Sequence, residues 1–282
     1  MKTMLVPVDF SDTSNNAVRY AAEWAKAYGY ERIILLKALN KSMFNSIIPA
    51  VDYVSVNQDY MNDEREEAKE KLNGICKKLL ADVGAQIKIS MAVSELPLVR
   101  SIMELIEEEQ PQLIVVGSDN INYNSNSFVA GNVISIAKIS PVRVLIVPSH
   151  YSYEPVTKAL VPVSFSMIST LENLKKHTAT SPQFKPELLV LNVDPKEKYL
   201  APDEEFTKTE GILHDYLQNF KHELTYSNHK NIIDGLVEFA DKHALQLIIA
   251  LPGKHSFLYS LTHKSISEAI YANAKHPVLI LK

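Results

Sequence analysis

The chain has 282 residues, of which 46% are hydrophobic and 22% charged, and its formal net charge is -4 at neutral pH. This length exceeds that of an ordinary single domain, so two domains, each with a core of its own, are expected. The net negative charge gives no basic surface of the kind that nucleic acid requires, and we therefore expect no nucleic-acid partner.

Cysteine content and the absence of long apolar runs indicate an intracellular protein. The single cysteine, Cys76, has no partner for an intramolecular disulfide and no second thiol for a zinc site, which fits a reducing compartment. The chain passes almost directly into MLVPVDF without an apolar leader, and no run is long enough to span a bilayer. The sequence predicts a cytoplasmic protein without membrane contact.

Short, nearly continuous apolar runs alternate with helical patterns through the first half of the chain. Unbroken runs of Val, Ile and Leu suit strands that are buried on both faces, as in parallel sheets. The amphipathic stretches between them end at glycine or before proline. The predicted strands are TMLVPV (3–8), RIILLKAL (32–39), QIKISMAV (86–93), QLIVVG (112–117) and VRVLIV (142–147), and the predicted helices lie within residues 14–29, 63–84, 96–111 and 128–141.

Several of these phrases occur twice in the chain. LVPVDFS (5–11) returns as LVPVSFS (160–166), QPQLIVVGS (110–118) as ALQLIIALP (244–252), and VRVLIV (142–147) as HPVLIL (276–281). Internal repeats of this kind indicate duplicated structural units. We therefore predict two related domains, residues 1–150 and 151–282.

The second copy repeats the alternation of strand and helix patterns. Its strands are KALVPVSF, PELLVLNV, KHELTYS, LQLIIAL and HPVLIL, with helices near 166–179, 203–220, 230–243 and 262–274. Strands that alternate with helices through short loops are typical of α/β folds with right-handed crossovers. The predicted fold is α/β, with two tandem doubly wound, five-stranded, parallel-sheet domains.

A ligand site is expected where the strands of such a sheet end. In open α/β sheets, ligands bind beyond the carboxyl ends of the strands, where the strand order reverses. Asp9 follows the first strand and Gly117 ends the fourth, and these strands would be neighbours in a flavodoxin-like order. A carboxylate there can accept hydrogen bonds from ribose or base, and the following loop can offer N–H groups to phosphates.

The phrases LVPVDFSDTSNNAV, QLIVVGS followed by GN, and VRVLIV resemble the universal stress protein family, and the duplication resembles its tandem two-domain members. The resemblance spans essentially the whole chain. It implies a Rossmann-like unit of the adenine nucleotide alpha hydrolase-like type. In the ATP-binding branch it also implies a nucleotide held between the first strand's aspartate and a Gly-x2-Gly-x9-Gly-Ser/Thr loop.

Carried onto this chain, the resemblance implies a site for ATP or another adenine nucleotide in the first domain. The match is partial, because the second loop glycine is replaced by Asn120 and the final Gly-Ser by Gly131-Asn132 after ten residues instead of nine. The loop also carries no lysine or arginine, so we expect weaker nucleotide binding than in a relative with the full motif. The implied residues are Pro7, Asp9, Ala38, Leu39, Val116, Gly117, Asn120, Gly131, Asn132 and Val133.

The second domain departs further from this pattern. Ser164 stands at the aspartate position and Leu251 at the first glycine, with Lys264-Ser265 near the final Gly-Ser and Gly253 available as a loop glycine. PGKHS lacks the spacing of a Walker loop. We expect this domain to act as a structural partner in an internal pseudo-dimer, joined through VRVLIV and HPVLIL, which would protect both edge strands.

Structural roles compete with ligand binding at several of these positions. Asp9 can help to cap the next helix with Ser11 or Asp12, and Gly117 can simply permit a tight strand exit. The apolar connection 40–62 can act as a lid or cover the neighbouring domain. The histidine spacings match no zinc signature, and we expect no metal site.

Two classes of function remain open. The first is a stress-response protein that binds an adenine nucleotide in its first domain, and the alternative is an interaction scaffold or a binder of another small ligand. No acid–base pair, nucleophile or metal cluster stands out, so the sequence does not argue for an enzyme. Slow ATP hydrolysis and further homodimerisation are left open.

Overall fold

The computed structural model describes residues 1–39, 53–119, 129–251 and 275–282 of the chain. The first half consists of strands alternating with helices, as the apolar runs predicted. Its strands are β1 (Thr3–Pro7), β2 (Arg32–Ala38), β3 (Lys88–Ser94), β4 (Leu113–Ser118) and β5 (Arg143–Pro148), and its helices are α1 (Asp12–Tyr28), α2 (Tyr53–Val83), α3 (Leu98–Glu109) and α4 (Val133–Ile139).

The second half repeats this order with shorter helices. Its strands are β6 (Lys158–Val163), β7 (Glu187–Val193), β8 (His222–Ser227), β9 (Leu247–Ala250) and β10 (Val278–Ile280), and its described helices are α5 (Glu172–Thr180), α6 (Glu204–Leu217) and α7 (Ile232–Lys242). The helix predicted over 262–274 lies outside the described residues.

Helix α1 shows how local sequence sets these boundaries. The Ser11 hydroxyl caps its start by accepting a hydrogen bond from the backbone N–H of Ser14, at 3.2 Å. Gly29 ends the helix in the left-handed region at φ 66°, which glycine adopts without the steric penalty of a Cβ atom. Tyr20 and Trp24 lie on the buried stripe between these caps and are each 1% exposed.

The ten strands form one sheet with the order β3-β2-β1-β4-β5-β10-β9-β6-β7-β8. Within each half all paired strands are parallel, and β1 lies beside β4, as the flavodoxin-like order requires. Helices α1, α2, α5 and α6 contribute to the core on one face, and α3, α4 and α7 cover the other. The fold is therefore α/β and doubly wound, as predicted.

The two halves meet where β5 pairs with β10. This is the one antiparallel pair among the described strands, with Leu145 opposite Leu279 and Ile146 opposite Val278. The pairing of VRVLIV with HPVLIL that the sequence predicted is thus present, and it removes both edges from solvent. The two five-stranded units share one continuous sheet.

An aromatic cluster packs against this joint on the α1 side. The Tyr20 ring stacks on Trp24 with centroids 6.1 Å apart and meets Tyr153 edge to face at 5.2 Å. Trp24 and Tyr28 in turn contact Phe184 of the second half, which is fully buried. Large aromatic side chains contribute strongly to burial energy, so this cluster helps to hold the two halves together.

Polar contacts accompany the aromatic ones. Asn16 of α1 is 8% exposed, and its Nδ2 donates to the backbone oxygens of Pro148 and Tyr151, at 3.0 and 2.9 Å. Lys2 Nζ donates to Ser181 Oγ, and the Arg143 guanidinium donates to Thr180 Oγ1, both at 2.9 Å. The chain between β5 and β6 is therefore fixed to α1, and two cations of the first half reach the end of α5.

His177 of α5 is buried beneath these cations. It is 3% exposed and lies edge to face with Phe184, with ring centroids 4.9 Å apart. Neither ring nitrogen finds a hydrogen-bond partner among the residues that the structure describes. Burial, followed by the positive charges of Arg143 and Lys2, lowers the pKa of His177 to about 3, so the ring is neutral at physiological pH.

Two helices differ from the sequence prediction. Helix α2 begins at Tyr53, ten residues before the predicted charged stretch, so only 40–52 of the proposed connection lies outside the described residues. The first helix of the second half begins as a 3-10 segment, Phe165–Leu171, without a side-chain cap. Ser164 precedes this segment, whereas in the first half the equivalent residue is Asp9, which accepts a hydrogen bond from the capping Ser11.

Candidate functional site

Asp9 lies just beyond β1, and its carboxylate is held by neighbouring donors. Its Oδ1 accepts from the backbone N–H of Ser11 at 3.1 Å and from the Ser11 hydroxyl at 2.5 Å. The same Ser11 hydroxyl oxygen accepts from Ser14 N–H at the helix start. Asp9 therefore orients the capping serine of α1 instead of capping the helix itself, so part of the structural role considered for it is present.

The second carboxylate oxygen of Asp9 joins β1 to the segment that precedes α4. Oδ2 accepts a hydrogen bond from the backbone N–H of Val129 at 2.9 Å. Val129 is 1% exposed, and it is followed by the 3-10 turn Ala130–Asn132. Asp9 and Gly131-Asn132 are thus brought to the same edge of the sheet, as the predicted site requires.

A cationic side chain lies beside this carboxylate. Lys37 of β2 is half-buried, and its Nζ lies 5.1 Å from the centroid of the Phe10 ring, with Lys71 of α2 at 5.5 Å from the same ring. Burial lowers the pKa of Lys37, while the negative charges of Asp9 and Glu64 oppose this shift. Lys37 and Asp9 therefore interact electrostatically at the carboxyl edge.

Phe10 adopts an uncommon backbone conformation between these groups. Its φ is 67°, in the left-handed region that few non-glycine residues enter. Such conformations persist only where surrounding contacts fix them, and they concentrate at functional sites. The hydrogen bonds between Asp9 and Ser11 hold the backbone on both sides of Phe10, and the two lysine ammonium groups contact its ring.

Gly117 is required by packing. A Cβ atom at this position would lie 2.6 Å from the backbone oxygen of Thr13 and 2.9 Å from its methyl group. The start of α1 therefore approaches β4 so closely that only glycine fits. Thr13 Oγ1 also donates a short hydrogen bond to Asp119, which joins the helix start to the loop after β4.

The other residues implied by the family resemblance occupy two kinds of position. Gly131 is exposed, and a Cβ atom there would meet nothing within 4 Å, whereas Asn132 is half-buried at the start of α4. Asn120 lies outside the described residues. The remaining positions are buried, and the side chains of several of them belong to the core: Pro7, Ala38, Leu39, Val116 and Val133.

In the second half, Ser164 occupies the position equivalent to Asp9, so no carboxylate is present there. The Ser164 hydroxyl lies 2.8 Å from the Ser166 hydroxyl, and Phe165 begins the 3-10 segment described above. Leu251, at the position of the first loop glycine, is 7% exposed and packs into the core. Gly253 and Lys264-Ser265 lie outside the described residues.

Lys37 is the residue of this site that sequence reasoning missed. The loop after β4 carries no lysine or arginine, and the cation that interacts with Asp9 belongs to the neighbouring strand β2. One signal was available, because Lys37 is the only charged residue within the apolar run IILLKAL. A lysine inside a buried strand is uncommon and points to a partner at the strand end.

No group of three or more His, Cys, Asp or Glu residues that could hold a metal ion occurs within the described ranges. Within the same ranges, no helix has both the length and the apolar character needed to cross a membrane.

Comparison with known proteins identifies relatives of this fold. No curated protein matches the chain. A universal stress protein from Archaeoglobus fulgidus DSM 4304 superposes with a TM-score of 0.69 at 18% identity, over 99% of this chain and 98% of that one. A protein of unknown function from Pseudomonas aeruginosa PAO1 superposes with a TM-score of 0.59 at 14% identity, over 100% and 92%. These likenesses show that the α/β fold is shared over nearly the whole chain.

The family assignment rests on the sequence of the first half. The model of the universal stress protein family matches residues 1–148, which include β1 to β5 and every residue of the site described above. Both the Asp9 strand end and the Gly131-Asn132 turn fall within this match. The chain therefore belongs to the universal stress protein family.

Proposed function

We propose that this universal stress protein binds ATP or another adenine nucleotide in its first half and acts in the cytoplasm. The observation that carries the proposal is the Asp9 carboxylate, which lies at the carboxyl end of β1, between β2 and β4. Ligands of open α/β sheets bind at this place, where the strand order reverses. The same carboxylate already accepts hydrogen bonds from one hydroxyl and two backbone N–H groups.

The acceptors of Asp9 suit the hydroxyl groups of a ribose. A carboxylate accepts several hydrogen bonds at once, and ribose hydroxyls would add to or replace the donors of Ser11 and Val129. Replacement of the Val129 contact would couple ligand binding to the turn that carries Gly131-Asn132. This coupling makes the segment before α4 part of the proposed site.

Lys37 supplies the positive charge that the loop after β4 lacks in sequence. Its ammonium group is partly desolvated, which lowers its pKa, and a phosphate nearby would favour the charged form. The Lys71 ammonium group lies 5.5 Å from the centroid of the Phe10 ring and adds to the positive potential. The proposed site therefore combines an acceptor for ribose with cations for phosphate.

The competing function is a scaffold that binds no nucleotide. It is favoured by Gly117, because the close approach of Thr13 explains this glycine without any phosphate contact. Core packing also explains why Val116 and Val133 are buried, without any contact to a ligand. A binding measurement separates the two functions.

The test is calorimetric titration of the full chain with ATP and with AMP. We expect saturable binding that is lost in Asp9→Asn and weakened about tenfold in Lys37→Met, which keeps the apolar stem. Ser164→Ala, the matched change in the second half, should leave binding unchanged. Absence of saturable binding at millimolar ATP would favour the scaffold function and reject the proposal.

A further inference from the structure

The second half contains a cleft at the carboxyl ends of β6 and β7. It has a volume of about 380 Å³ and is bounded by the strand ends, the loop after β7 and the first turns of α6. None of its described lining residues belongs to β9 or β10. We propose that this cleft binds a small neutral polyol with one apolar ring face, the chemistry of a monosaccharide or disaccharide.

The strand register shows how the cleft differs from the site in the first half. Pro7 pairs with Leu36 in one half and Pro162 with Leu191 in the other. Lys37 follows Leu36 in β2, and Asn192 follows Leu191 in β7, so Asn192 is the counterpart of Lys37. Ser164 is likewise the counterpart of Asp9. The charge pair of the first half is replaced by a hydroxyl and an amide, which suits an uncharged ligand.

Two aromatic rings form the apolar part of the cleft. Phe165 and Phe206 have ring centroids 4.5 Å apart and are both half-buried, so each keeps part of its surface open. Tyr226 packs against both rings, and its hydroxyl donates to Glu210 at 2.8 Å, which fixes it behind them. Exposed aromatic surface in a pocket provides a contact for the apolar face of a ring.

The polar part of the cleft offers both acceptors and donors. Asn192 is 7% exposed, and its Nδ2 donates to the Val163 backbone oxygen at 3.1 Å. No donor from the described part of the chain reaches its Oδ1, which remains able to accept from a ligand hydroxyl. The paired Ser164 and Ser166 hydroxyls share one hydrogen bond, so one hydroxyl proton is left for a ligand oxygen.

The charged groups around the cleft argue against a phosphate. The Asp194 carboxylate accepts from the backbone N–H groups of Lys196 and Lys198, and Asp203 accepts from Phe206 N–H at 2.7 Å. These carboxylates are thereby fixed near the cleft, where they would repel an anion but can accept hydrogen bonds from hydroxyls. Asp194 is half-buried, whereas the side chains of Asp203 and of the two lysines are exposed, so solvent screens their charges more than that of Asp194.

The test is a titration of the isotope-labelled full chain, followed by backbone amide NMR shifts, with glucose, trehalose and adenosine as separate probes. We expect saturable shifts in residues 192–198 and 203–209 with one of the sugars, at a dissociation constant of about 1 mM. Phe165→Ala and Asn192→Leu should each weaken binding about tenfold. Phe10→Ala, the matched change in the first half, should leave sugar binding unchanged.

Three results would overturn the proposal. They are the lack of saturable shifts with either sugar up to about 100 mM, sugar binding that both variants retain at full strength, and adenosine binding in this cleft more tightly than the sugars. Retained sugar binding in Asp9→Asn, which is expected to lose ATP, would separate this site from the nucleotide site. Circular dichroism of each variant confirms that it is folded before it is titrated.

Discussion

The Asp9 carboxylate accepts a hydrogen bond from the backbone N–H of Val129, at 2.9 Å, although the two residues are separated by 120 positions in the chain. This contact fixes the end of β1 against the segment that precedes α4. Because Val129 is buried, its N–H group would be left without a partner if Asp9 were shortened. The residue that we propose as a ligand acceptor therefore also contributes to the stability of the fold.

Replacement of Asp9 by alanine should destabilise the fold. The change removes the acceptor for Val129 N–H and the two contacts with Ser11, and we expect a loss of about 2 kcal/mol in the free energy of unfolding. Urea denaturation measures this loss. Ser164→Ala should change stability by less than about 0.5 kcal/mol, because its hydroxyl is exposed. Equal effects of the two substitutions would contradict a structural role for Asp9.

The two glycines of the site should respond differently to alanine. In Gly117→Ala the new Cβ atom would press on the Thr13 backbone oxygen and displace the start of α1, with an expected loss of about 1 to 3 kcal/mol. Gly131→Ala meets no neighbouring atom and should leave the melting temperature nearly unchanged. If Gly131→Ala proves as destabilising as Gly117→Ala in thermal denaturation, this account of the two positions is wrong.

Asn16 should contribute more to stability than the asparagine beside it. Asn16 Nδ2 donates to the backbone oxygens of Pro148, at the end of β5, and of Tyr151, just after it, so Asn16→Ala should destabilise by about 1 to 3 kcal/mol. Asn15 makes one long contact, 3.4 Å to the Phe10 oxygen, and Asn15→Ala serves as the matched control. Chemical denaturation of both variants measures the difference, and a larger loss in Asn15→Ala would refute the prediction.

Acid should destabilise the protein through His177. The pKa of this ring is about 3 in the folded chain, against 6.5 for an ordinary histidine. Between these values the unfolded chain binds a proton that the folded chain does not, so stability falls as pH decreases through this window. From pH 7 to pH 5 the loss from this residue is about 2 kcal/mol.

The pH prediction is checked by urea denaturation at pH 7, 6 and 5. In His177→Leu the free energy of unfolding should fall by about 2 kcal/mol less between pH 7 and pH 5 than in the original chain, because leucine cannot bind a proton. His243→Gln, at an exposed position, should retain the original decrease. A decrease of the same size in His177→Leu would show that other groups cause the acid sensitivity.

Most of the fold could be predicted from the sequence because strand burial is recorded in unbroken apolar runs. The ten described strands lie at or next to segments predicted as strands, most of them apolar runs, and the repeat LVPV indicated which strands correspond. The start of α2 was predicted ten residues too late, at the charged stretch from Asp63, although the sequence has an aspartate, a preferred N-cap residue, directly before Tyr53. The 3-10 segment that starts at Phe165 has no side-chain cap, and it follows the position where Ser164 replaces the aspartate of the first half.

The site could be predicted only in part, for a related reason. Asp9 could be assigned to the carboxyl edge of the sheet from sequence, because it directly follows a predicted strand. Lys37 reaches the site through the pairing of β2 with β1, and its role depends on register and not on distance along the chain. Similarly, the packing role of Gly117 depends on how closely Thr13 approaches it, which sequence does not show.

The antiparallel pairing of β5 with β10 has a consequence for the placement of the two sites. Because every strand within a half runs in one direction, this pairing makes the strands of the two halves point in opposite directions. The strand end at Asp9 and the cleft beside Asn192 therefore lie at opposite margins of the sheet. A small ligand bound at one margin is separated from the other margin by the length of the strands.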